Sequence, residues 1–352
     1  MAKIRVLGEE VARQIAAGEV VDRPASVVKE LIENAVDAGA KSITIKTFDA
    51  GEKLVEVHDD GCGMAPDDVK LAAKSFSTSK ISDAHDLFRI ETYGFRGEAL
   101  ASISSVSRFD IVSSHGEDGE GWRVRIEGKS AVESAPAPHE KGTTVAVRDL
   151  FFNTPARKKF LKSAITERRR ILETVLSFAL IDPELEIHYS DNGKAVLDLV
   201  ASQSWRDRIT AILGASTMKH MVTVESDASP IQLRGFVSLP THTRTNRNHQ
   251  FLYVNRRLVR EKTTLAAVQE AYRSVIPYKR YPVVVLAVDV PYGDVDVNVH
   301  PTKLEVRLKH PRHTFDIVCN AVKRALSAHS EAALDVGYRS AHSPADSGRS
   351  PG

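Results

Sequence analysis

The sequence predicts an α/β (α+β) protein with two domains and the start of a linker. Its 352 residues favour two domains, since one domain commonly holds about 100–200 residues. Strand and helix patterns follow one another through most of the chain, whereas the composition after residue 336 cannot form a core. We therefore place the domains at residues 1–200 and 204–333, and a disordered linker at residues 337–352.

Strands are predicted where apolar and polar residues alternate, and helices where apolar residues recur every three or four positions. In the first domain the strands fall at residues 42–47, 54–58, 109–113, 122–127, 143–147 and 186–189, and the helices at 11–17, 25–38, 66–73 and 164–180. In the second domain the strands fall at residues 231–238, 250–254, 283–290 and 294–299, and the helices at 263–276 and 313–327. The Ser-, Gly- and Pro-rich end of the chain indicates a linker.

The composition of the chain restricts the cellular compartments in which the protein is expected. No run approaches eighteen apolar residues, and residues 1–10 lack the apolar segment of a signal peptide, so neither a membrane span nor secretion is expected. Cys62 and Cys319 are the two cysteines and no CxxC occurs, which favours a reducing cytoplasm over disulfides or structural zinc. We expect a cytoplasmic protein without a membrane partner.

One predicted helix face carries residues suited to chemistry. In the helix at residues 25–38, Glu30, Asn34 and Asp37 fall at i, i+4 and i+7, which is one face of about two turns. A carboxylate there can act as a general base, while a carboxamide oxygen one turn later binds a hard cation such as Mg2+. Taken alone, the segment favours the alternative of an amphipathic surface helix with a solvated polar face.

The segment after the second predicted strand suits the edge of a planar base. Asp59 could accept a hydrogen bond from an exocyclic amine, and Gly61 and Gly63 would let the backbone approach the ring without a Cβ. The alternative is an ordinary loop, because Asp-Asp-Gly is also a common turn sequence.

Two further glycine segments follow in order. Gly94 and Gly97 precede an apolar run at residues 99–103 that predicts a helix, and free N–H groups at a helix start form an anion site, although a lone GxxG is a weak signal. Gly142 and Thr143 begin a β-branched strand. Neither GxGxxG after a first strand nor GxxxxGK[ST] is present, so neither a Rossmann nor a P-loop site is supported.

These motifs, in this order within the first 150 residues, resemble the nucleotide-binding domain of the GHKL ATPases. That group includes type II topoisomerase ATPase subunits, ATP-driven heat-shock chaperones, histidine kinases and the MutL family. Three longer segments, residues 14–30, 94–103 and 150–161, resemble the MutL family of DNA mismatch-repair proteins, and the resemblance runs from about residue 4 to about residue 322.

The resemblance implies a fold for both domains. The first is a GHKL (Bergerat-type) sandwich, whose mixed and largely antiparallel sheet carries helices on one face. The second is a ribosomal-S5-like α/β domain with a left-handed βαβ crossover. Family members carry a C-terminal dimerisation domain beyond the linker, in some cases with an endonuclease, and nothing in these residues corresponds to it.

The resemblance also implies ATP and Mg2+ as ligands and gives roles to single residues. Glu30 is the general base for the water that attacks the γ-phosphate, Asn34 binds Mg2+, and Asp37 braces the helix. Adenine is bound around Asp59, Gly61, Gly63 and Thr143. Backbone N–H groups of Gly94, Phe95, Arg96 and Gly97 bind the phosphates.

Two more segments complete the implied site. A lid places Thr78, Ser79 and Lys80 near the phosphates, and Phe76-Ser77 stands where many members have His-Ala, which leaves a role for that histidine without support. Lys303 lies on a loop after a predicted strand of the second domain. The resemblance implies that it contacts the γ-phosphate and is a catalytic residue.

Charge indicates nucleic acid. Residues 231–312 hold fourteen Lys and Arg against six Asp and Glu, an excess of eight in a chain whose net charge is +2. The densest run in the second domain is Arg256, Arg257, Arg260 and Lys262, and a second cluster is Arg157, Lys158, Lys159 and Lys162. Many relatives have glycine at the place of Arg256, so the turn there should change. We expect phosphate contacts without sequence preference.

The resemblance implies a weak Mg-dependent ATPase acting as a clamp in mismatch repair, associated with the bacterial nucleoid. ATP binding dimerises the N-terminal regions, hydrolysis resets them, and the partners are DNA, a mismatch-recognition protein and a downstream helicase or endonuclease. One alternative is a topoisomerase ATPase subunit, although GFRGEAL lacks the denser glycine pattern of that group. Another is a nucleotide-sensing scaffold with negligible turnover, against which Glu30 argues.

Overall fold

The structure is a computed structural model that describes residues 21–75, 77–80, 92–94, 97–128, 130–259, 261–296 and 306–341. It divides into two units, one running up to Gly214 and the other beginning at Ala215. The predicted helix at 11–17 lies outside the described residues, as do most of the predicted strand at 294–299 and the candidate residues Phe95, Arg96, Arg260 and Lys303. Across the described residues, no helix is long and apolar enough to span a bilayer.

An eight-stranded sheet forms the centre of the first unit. Its strands are β1 (Ser42–Phe48), β2 (Leu54–Asp59), β3 (Arg108–Ser114), β4 (Glu120–Glu127), β5 (Ser130–Pro138), β6 (Gly142–Arg148), β7 (Glu186–Asp191) and β8 (Lys194–Leu199), in the order β5-β4-β3-β6-β2-β1-β7-β8. Neighbouring strands are antiparallel except for β1 and β7, which are parallel. The predicted mixed, largely antiparallel sheet is confirmed.

Helices bury one face of this sheet. They are α1 (Pro24–Asp37), α2 (Pro66–Ala72), α3 (Ala99–Ser105), α4 (Pro155–Phe160), α5 (Ala164–Ile181) and α6 (Trp205–Leu213). α1 begins at Pro24, whose fixed φ suits the first helical position. Val28 and Ile32 of α1 join Ile45 of β1 and Ile171 of α5 in one core, all with no exposed surface. The alternation in the strands therefore places Asp59 and Thr143 on the same face as the helices.

The other face of the sheet carries charged and polar pairs. The Lys46 ammonium lies 3.0 Å from Glu56, and Arg125 donates to Asp110 at 3.2 Å and to Glu133 at 2.9 Å. A one-residue slip of any of these strands would move charges into the core. The register is therefore strongly specified, which fixes where the strand ends meet.

The first unit continues past the predicted boundary at residues 200–204. α6 packs on it, because the Trp205 indole N–H donates to Leu180 O and the Arg208 Nη2 donates to Pro183 O, Leu185 O and Val200 O at 2.7–2.9 Å. Arg208 has no exposed surface. The sequence predicted that a second domain begins at residue 204, but Arg208 donates to three backbone carbonyls of the first unit.

The second unit contains a five-stranded sheet and two long helices. Its elements are α7 (Ala215–Met218), β9 (Met221–Ala228), β10 (Ile231–Ser238), β11 (Thr243–Arg244), β12 (Gln250–Val254), β13 (Arg257–Leu258), α8 (Lys262–Tyr272), β14 (Tyr281–Pro282), β15 (Val284–Asp289), a 3-10 turn (Tyr292–Asp294), β16 (Val295–Asp296), β17 (Arg307–Leu308) and α9 (Pro311–Ala341). The sheet order is β13-β12-β15-β10-β9. β12 and β15 are parallel, and α8 lies in the connection between them. Leu252, Leu286, Val318 and Val322 are part of its core.

Two differences from the predicted elements have physical reasons. β5 was missed because Pro136 and Pro138 argue against a central strand, but β5 is an edge strand, where proline is tolerated. β8, at the other edge, was also missed. α9 extends to Ala341 through a run of Ala, Glu and Leu, which are good helix formers. The first residues of the predicted linker are therefore helical.

Candidate functional site

A buried carboxylate marks the end of β2. Asp59 is 7 % exposed, and its Oδ1 accepts from the Gly61 N–H at 3.0 Å. Burial raises the pKa of the Asp59 carboxyl to about 6, although the backbone N–H groups of Gly61 and Thr143 that donate to it act in the opposite direction. A buried carboxylate whose hydrogen-bond partners are backbone N–H groups is suited to bind a ligand that has a hydrogen-bond donor.

Two glycines let neighbouring strands meet beside Asp59. Gly63 has φ +65°, and a Cβ there would lie 1.8 Å from Ser114 O; Gly142 has φ +126°, and its Cβ would lie 2.0 Å from Asp59 O. Neither position admits a side chain without movement of the backbone. These glycines therefore determine the close approach of β2, β3 and β6 at one end of the sheet.

A serine that sequence reasoning missed joins this group. Ser113 Oγ donates to Gly142 O at 2.8 Å, accepts from Met64 N at 2.9 Å and lies 2.8 Å from Thr143 Oγ1. Thr143 pairs with Asp59 on one side and with Ser113 on the other. A polar residue on the core face of the predicted strand at 109–113 was the signal that could have indicated it.

The polar face of α1 is largely buried. Glu30 is 9 % exposed and Glu33 is 3 % exposed, and the Lys29 ammonium lies 3.4 Å from Glu30 Oε1 and 2.7 Å from Glu33 Oε1. Burial alone would lower the pKa of Lys29, but the two carboxylates outweigh it and the pKa is raised. The alternative of a solvated surface face is wrong for α1. Lys29 and Glu33 were not singled out from the sequence.

Asp37 connects three segments. Its Oδ1 accepts from Tyr93 N at 2.8 Å, and its Oδ2 accepts from Gly94 N at 3.0 Å and from the Lys80 ammonium. Lys80 Nζ also donates to Asn34 Oδ1 at 3.1 Å. Asp37 thus holds the backbone of the third motif and the end of the lid against α1, a more specific role than bracing its own helix.

The lid and the third motif lie against each other as well. A Cβ on Gly97, which has φ +63°, would lie 2.4 Å from Ser77 O, and one on Gly94 would lie 3.1 Å from Lys80 Nζ. Thr78 Oγ1 accepts from Lys80 N at 3.1 Å. The described residues of the lid, α1 and the Gly94–Gly97 segment therefore form one contiguous cluster.

The end of α1 also contacts the Asp59 group. Cys62 N donates to Ala38 O at 3.0 Å, and a Cβ on Gly61 would lie 2.8 Å from the Ala38 Cβ. The structure therefore brings all four sequence motifs together around the second half of α1. Ser79 lies in the same lid segment, between Thr78 and Lys80.

The basic residues proposed for DNA differ in exposure. Arg256 and Lys262 are exposed, but Arg257 is 7 % exposed and pairs with Val254 in the β12–β13 hairpin, so it is a poor phosphate contact. Asn255 and Arg256 have φ +46° and +66°, so Arg256 keeps a left-handed turn conformation that glycine would adopt more easily. Whether this turn differs from that of relatives with glycine stays a prediction. On α4, Arg157 is half-buried, Lys158 pairs with Glu52 at 2.6 Å, and Lys159 is exposed.

Two stretches of the chain match known families. Residues 22–144 match the family described as histidine kinase-, DNA gyrase B- and HSP90-like ATPase. Residues 209–327 match the family described as DNA mismatch repair protein, C-terminal domain. The first stretch contains the described residues of the cluster on α1 and β2, and the second covers most of the second unit.

Curated relatives named DNA mismatch repair protein MutL align with nearly the whole chain. The protein of Anaeromyxobacter sp. (strain K) is 45% identical over 326 residues, which is 93% of this chain and 54% of the relative. That of Cellvibrio japonicus (strain Ueda107) is 44% identical over 331 residues, 93% of this chain and 53% of the relative. The chain spans about half the length of these relatives.

Solved structures share the fold. The crystal structure of the N-terminal domain of a DNA repair protein has a TM-score of 0.79 and 27% identity, covering 92% of this chain and 99% of that one. The Aquifex aeolicus MutL ATPase domain complexed with ADP has a TM-score of 0.60 and 30% identity, covering 77% of this chain and 93% of that one. The predicted fold class, a GHKL-type α/β sandwich followed by a second α/β domain, is confirmed.

Proposed function

The chain belongs to the MutL family of DNA mismatch-repair proteins, and from this premise we propose that it is an ATP-operated clamp. It binds ATP and Mg2+ around the second half of α1, hydrolyses the ATP slowly, and dimerises through its N-terminal region while ATP is bound. It contacts DNA through phosphates without reading sequence. Its partners are a mismatch-recognition protein and a downstream helicase or endonuclease, and it acts in the cytoplasm.

The observation that carries the proposal is the Asp59 group at the end of the sheet. A buried carboxylate there, flanked by Gly61 and Gly63, can accept from the exocyclic amine of adenine while the ring lies against backbone. Thr143 and Ser113 place two hydroxyls beside it, 2.8 Å apart, which can bind water or the ring edge. Buried polar groups arranged in this way favour a base with donors at its edge over an apolar ligand.

The cluster on α1 suits the phosphates and their metal. The Lys80 ammonium donates to Asn34 Oδ1 and pairs with the Asp37 carboxylate. This part of the cluster therefore stabilises a cation. Asn34 would hold Mg2+ together with phosphate oxygens, since carboxamide and phosphate oxygens are hard ligands. When bound, the metal neutralises charge on the transferring phosphoryl group.

The remaining residues of the cluster position the reactants. Lys80 leaves Asn34 when the nucleotide enters and becomes available to the phosphate oxygens. Backbone N–H groups in the Gly94–Gly97 segment bind the same phosphates. Glu30 accepts a proton from the attacking water, and the Lys29 ammonium beside it favours the ionised form that a base requires.

Nucleotide titrations and phosphate-release assays of the parent chain and of two variants test the proposal. Mg·ATP should bind the parent chain, and steady-state release of phosphate should follow. Asn34→Ala should weaken binding, whereas Glu56→Ala on the opposite face of the sheet should change neither binding nor turnover. Binding without measurable turnover in the parent would favour the nucleotide-sensing scaffold.

Dimerisation needs its own measurement. Closing of the lid around Thr78 and Lys80 would give the nucleotide-bound state contacts that the free state lacks, as any ligand-driven shift requires. Sedimentation with a non-hydrolysable ATP analogue should show the dimer mass. An unchanged mass at saturating analogue would refute the clamp while leaving the ATPase assignment intact.

A further inference from the structure

Three segments of the second unit come together at one end of its sheet. They are residues 215–220, 239–250 and 277–282, and we call their common surface the β11–β14 surface. β11 pairs with β14, the Leu239 N–H donates to His220 O at 2.7 Å, and the Arg280 guanidinium donates to Thr243 Oγ1 at 2.9 Å. Because these contacts join all three segments, their side chains can act on one ligand.

The β11–β14 surface is strongly basic. Its segments contain Lys219, Arg244, Arg247, Lys279 and Arg280, together with three histidines and no Asp or Glu. Lys219, Arg247 and Lys279 are exposed. In a chain whose net charge is only +2, a surface with five cations and no acidic residue produces a local positive potential suited to a phosphate polymer.

Two imidazoles on this surface have unused ring nitrogens. His242 stacks on His220 with centroids 4.9 Å apart, and both His242 Nε2 and His249 Nδ1 are buried without a hydrogen-bond partner among the described residues. Burial lowers the pKa of His242, helped by Arg244, His220 and His249, and burial and Arg244 lower the pKa of His249. A phosphate oxygen near these rings would favour their protonated form.

Aromatic rings accompany the cations. Tyr278 is 90 % exposed, with the Lys279 ammonium 5.5 Å from its ring centroid, and the Arg247 guanidinium lies 5.0 Å from the centroid of Tyr281. Lys279 has φ +60°, a left-handed conformation that is unusual for a residue with a side chain and is often found at ligand sites. An exposed ring beside cations is a platform on which an unpaired base can stack.

This surface is distinct from the basic turn proposed above. The β11–β14 surface precedes Gln250, at the start of β12, whereas Arg256 follows Val254 at the other end of that strand. Four residue steps of about 3.3 Å put the two strand ends roughly 13 Å apart. Exposed cations of the second unit therefore lie at both ends of β12.

We infer that the β11–β14 surface binds single-stranded DNA, with its phosphates on Arg244, Arg247, Lys279 and the two imidazoles and a base stacked on Tyr278. The inference rests on the proposed action of this chain on DNA. Duplex DNA fits less well, because its bases are already stacked and offer no face to Tyr278.

Fluorescence anisotropy with a labelled oligo(dT) and a duplex of equal length tests this inference. Tyr278→Ala should weaken oligo(dT) binding about tenfold and leave duplex binding unchanged, while Tyr278→Phe should keep the parent affinity, since stacking needs only the ring. Arg247→Glu with Lys279→Glu should lower the slope of log affinity against log salt by about 1.4, at about 0.7 per phosphate contact. Thermal melts of each variant check that the exposed substitutions leave the fold intact.

The pH dependence provides a second readout. Oligo(dT) affinity of the parent should rise as the pH falls from about 8 to about 6, because bound phosphate stabilises the imidazolium form of His242 and His249. His242→Gln with His249→Gln should flatten that rise relative to the parent. The groups that face these rings, Arg244 and His220, stay in place in the double variant.

The outcomes separate this inference from the proposed function. If the parent binds no DNA, both are wrong. If the parent binds oligo(dT) and Tyr278→Ala binds it equally well, or if Tyr278→Ala lowers duplex binding by the same factor, the single-strand surface is wrong. In those cases, a loss in Arg256→Glu with Lys262→Glu would preserve the proposed DNA function at the other end of β12.

Discussion

The two units place their charged residues in opposite ways. The first unit buries Glu30, Glu33 and Asp59, and it pairs the two glutamates with the Lys29 ammonium and the aspartate with backbone N–H groups. The second unit leaves cations exposed at both ends of β12, among them Arg247, Lys279, Arg256 and Lys262. A site made of desolvated groups depends on position, because each group interacts through short contacts in a low dielectric. A site made of exposed cations depends on net charge and on salt.

The comparison is tested most strongly at the general base. Glu30→Ala should lower the ATPase rate by about 10²–10⁴-fold and leave ATP binding in place, because Lys29 keeps its 2.7 Å contact with Glu33. Phosphate release and nucleotide titration measure the two effects. Parent-like turnover in this variant would remove Glu30 from the mechanism, and Glu56→Ala is the matched control.

A second test concerns the close approach of strands in the first unit. Gly142→Ala should destabilise the unit by about 3 kcal/mol or more and abolish ATP binding, since the new Cβ would meet Asp59 O at 2.0 Å with φ at +126°. Gly193→Ala is the control, because its φ is also positive but nothing lies within 4 Å of its Cβ. Equal melting temperatures for the two variants would mean that the close approach of β2 and β6 accommodates a side chain at position 142 without strain.

Substitution of Asp59 should have opposite effects on the stability of the fold and on ATP binding. Its pKa of about 6 in the folded chain lies above its ordinary value of 3.8, so ionisation opposes folding above pH 6, and this opposition is relieved as the pH falls towards 4. Asp59→Asn should therefore raise the free energy of unfolding at pH 7.5 by about 2–3 kcal/mol, because each tenfold difference in proton affinity between the folded and unfolded chains corresponds to about 1.4 kcal/mol. ATP binding should be lost in the same variant. Thermal melts and ATP titrations measure both effects.

The parent protein should also show this ionisation directly. ATP affinity should fall as the pH drops through about 6, because the ionised carboxylate accepts more strongly from the adenine amine than the neutral acid does. Asp67→Asn, on the exposed start of α2, should change neither stability nor binding. A flat affinity profile from pH 8 to pH 5 would place adenine elsewhere.

The smallest effect is expected at the exposed turn of the second unit. Arg256→Glu with Lys262→Glu should reduce the salt slope of duplex DNA binding by about 2, at about 0.9 per phosphate contact, and leave basal ATPase activity unchanged. Arg257 is a poor choice for this test, because its burial would mix a folding defect with lost binding. Arg169→Glu with Lys194→Glu, which reverses two exposed cations of the first unit, is a charge-matched control, and an equal loss there would indicate general electrostatics.

Much of the secondary structure of the first unit could be predicted, because apolar and polar residues alternate regularly along its strands. Val55 and Val57 are buried and Glu56 is half-exposed, as a period of two requires, and Asp59 continues the buried series. The grouping of the glycine motifs in one site came from the resemblance to the GHKL ATPases, because their positions along the chain do not show that they meet. What made Asp59 a candidate was its place at a strand end.

Other features depend on contacts between distant residues. Nothing local shows that Lys80 reaches Asn34 and Asp37 or that Ser113 bonds to Gly142 O, because these pairs are 29 to 46 residues apart. Arg257 looked like a surface cation, yet its pairing with Val254 buries it. Arg208 has no exposed surface, because it donates to the carbonyls of Pro183, Leu185 and Val200. Tertiary partners decide these cases.

The segment Gly61-Cys62-Gly63 has a consequence in terms of the genetic code. Every single-base change that replaces a glycine by another amino acid adds a Cβ, and at Gly61 it would meet Ala38 Cβ at 2.8 Å while at Gly63 it would meet Ser114 O at 1.8 Å. Every missense change at either codon should therefore disturb the local structure. Cys62, between them, is exposed, and its side chain is not enclosed by these neighbours. Random mutagenesis selected for function should therefore return variants at codon 62 and none at codons 61 and 63.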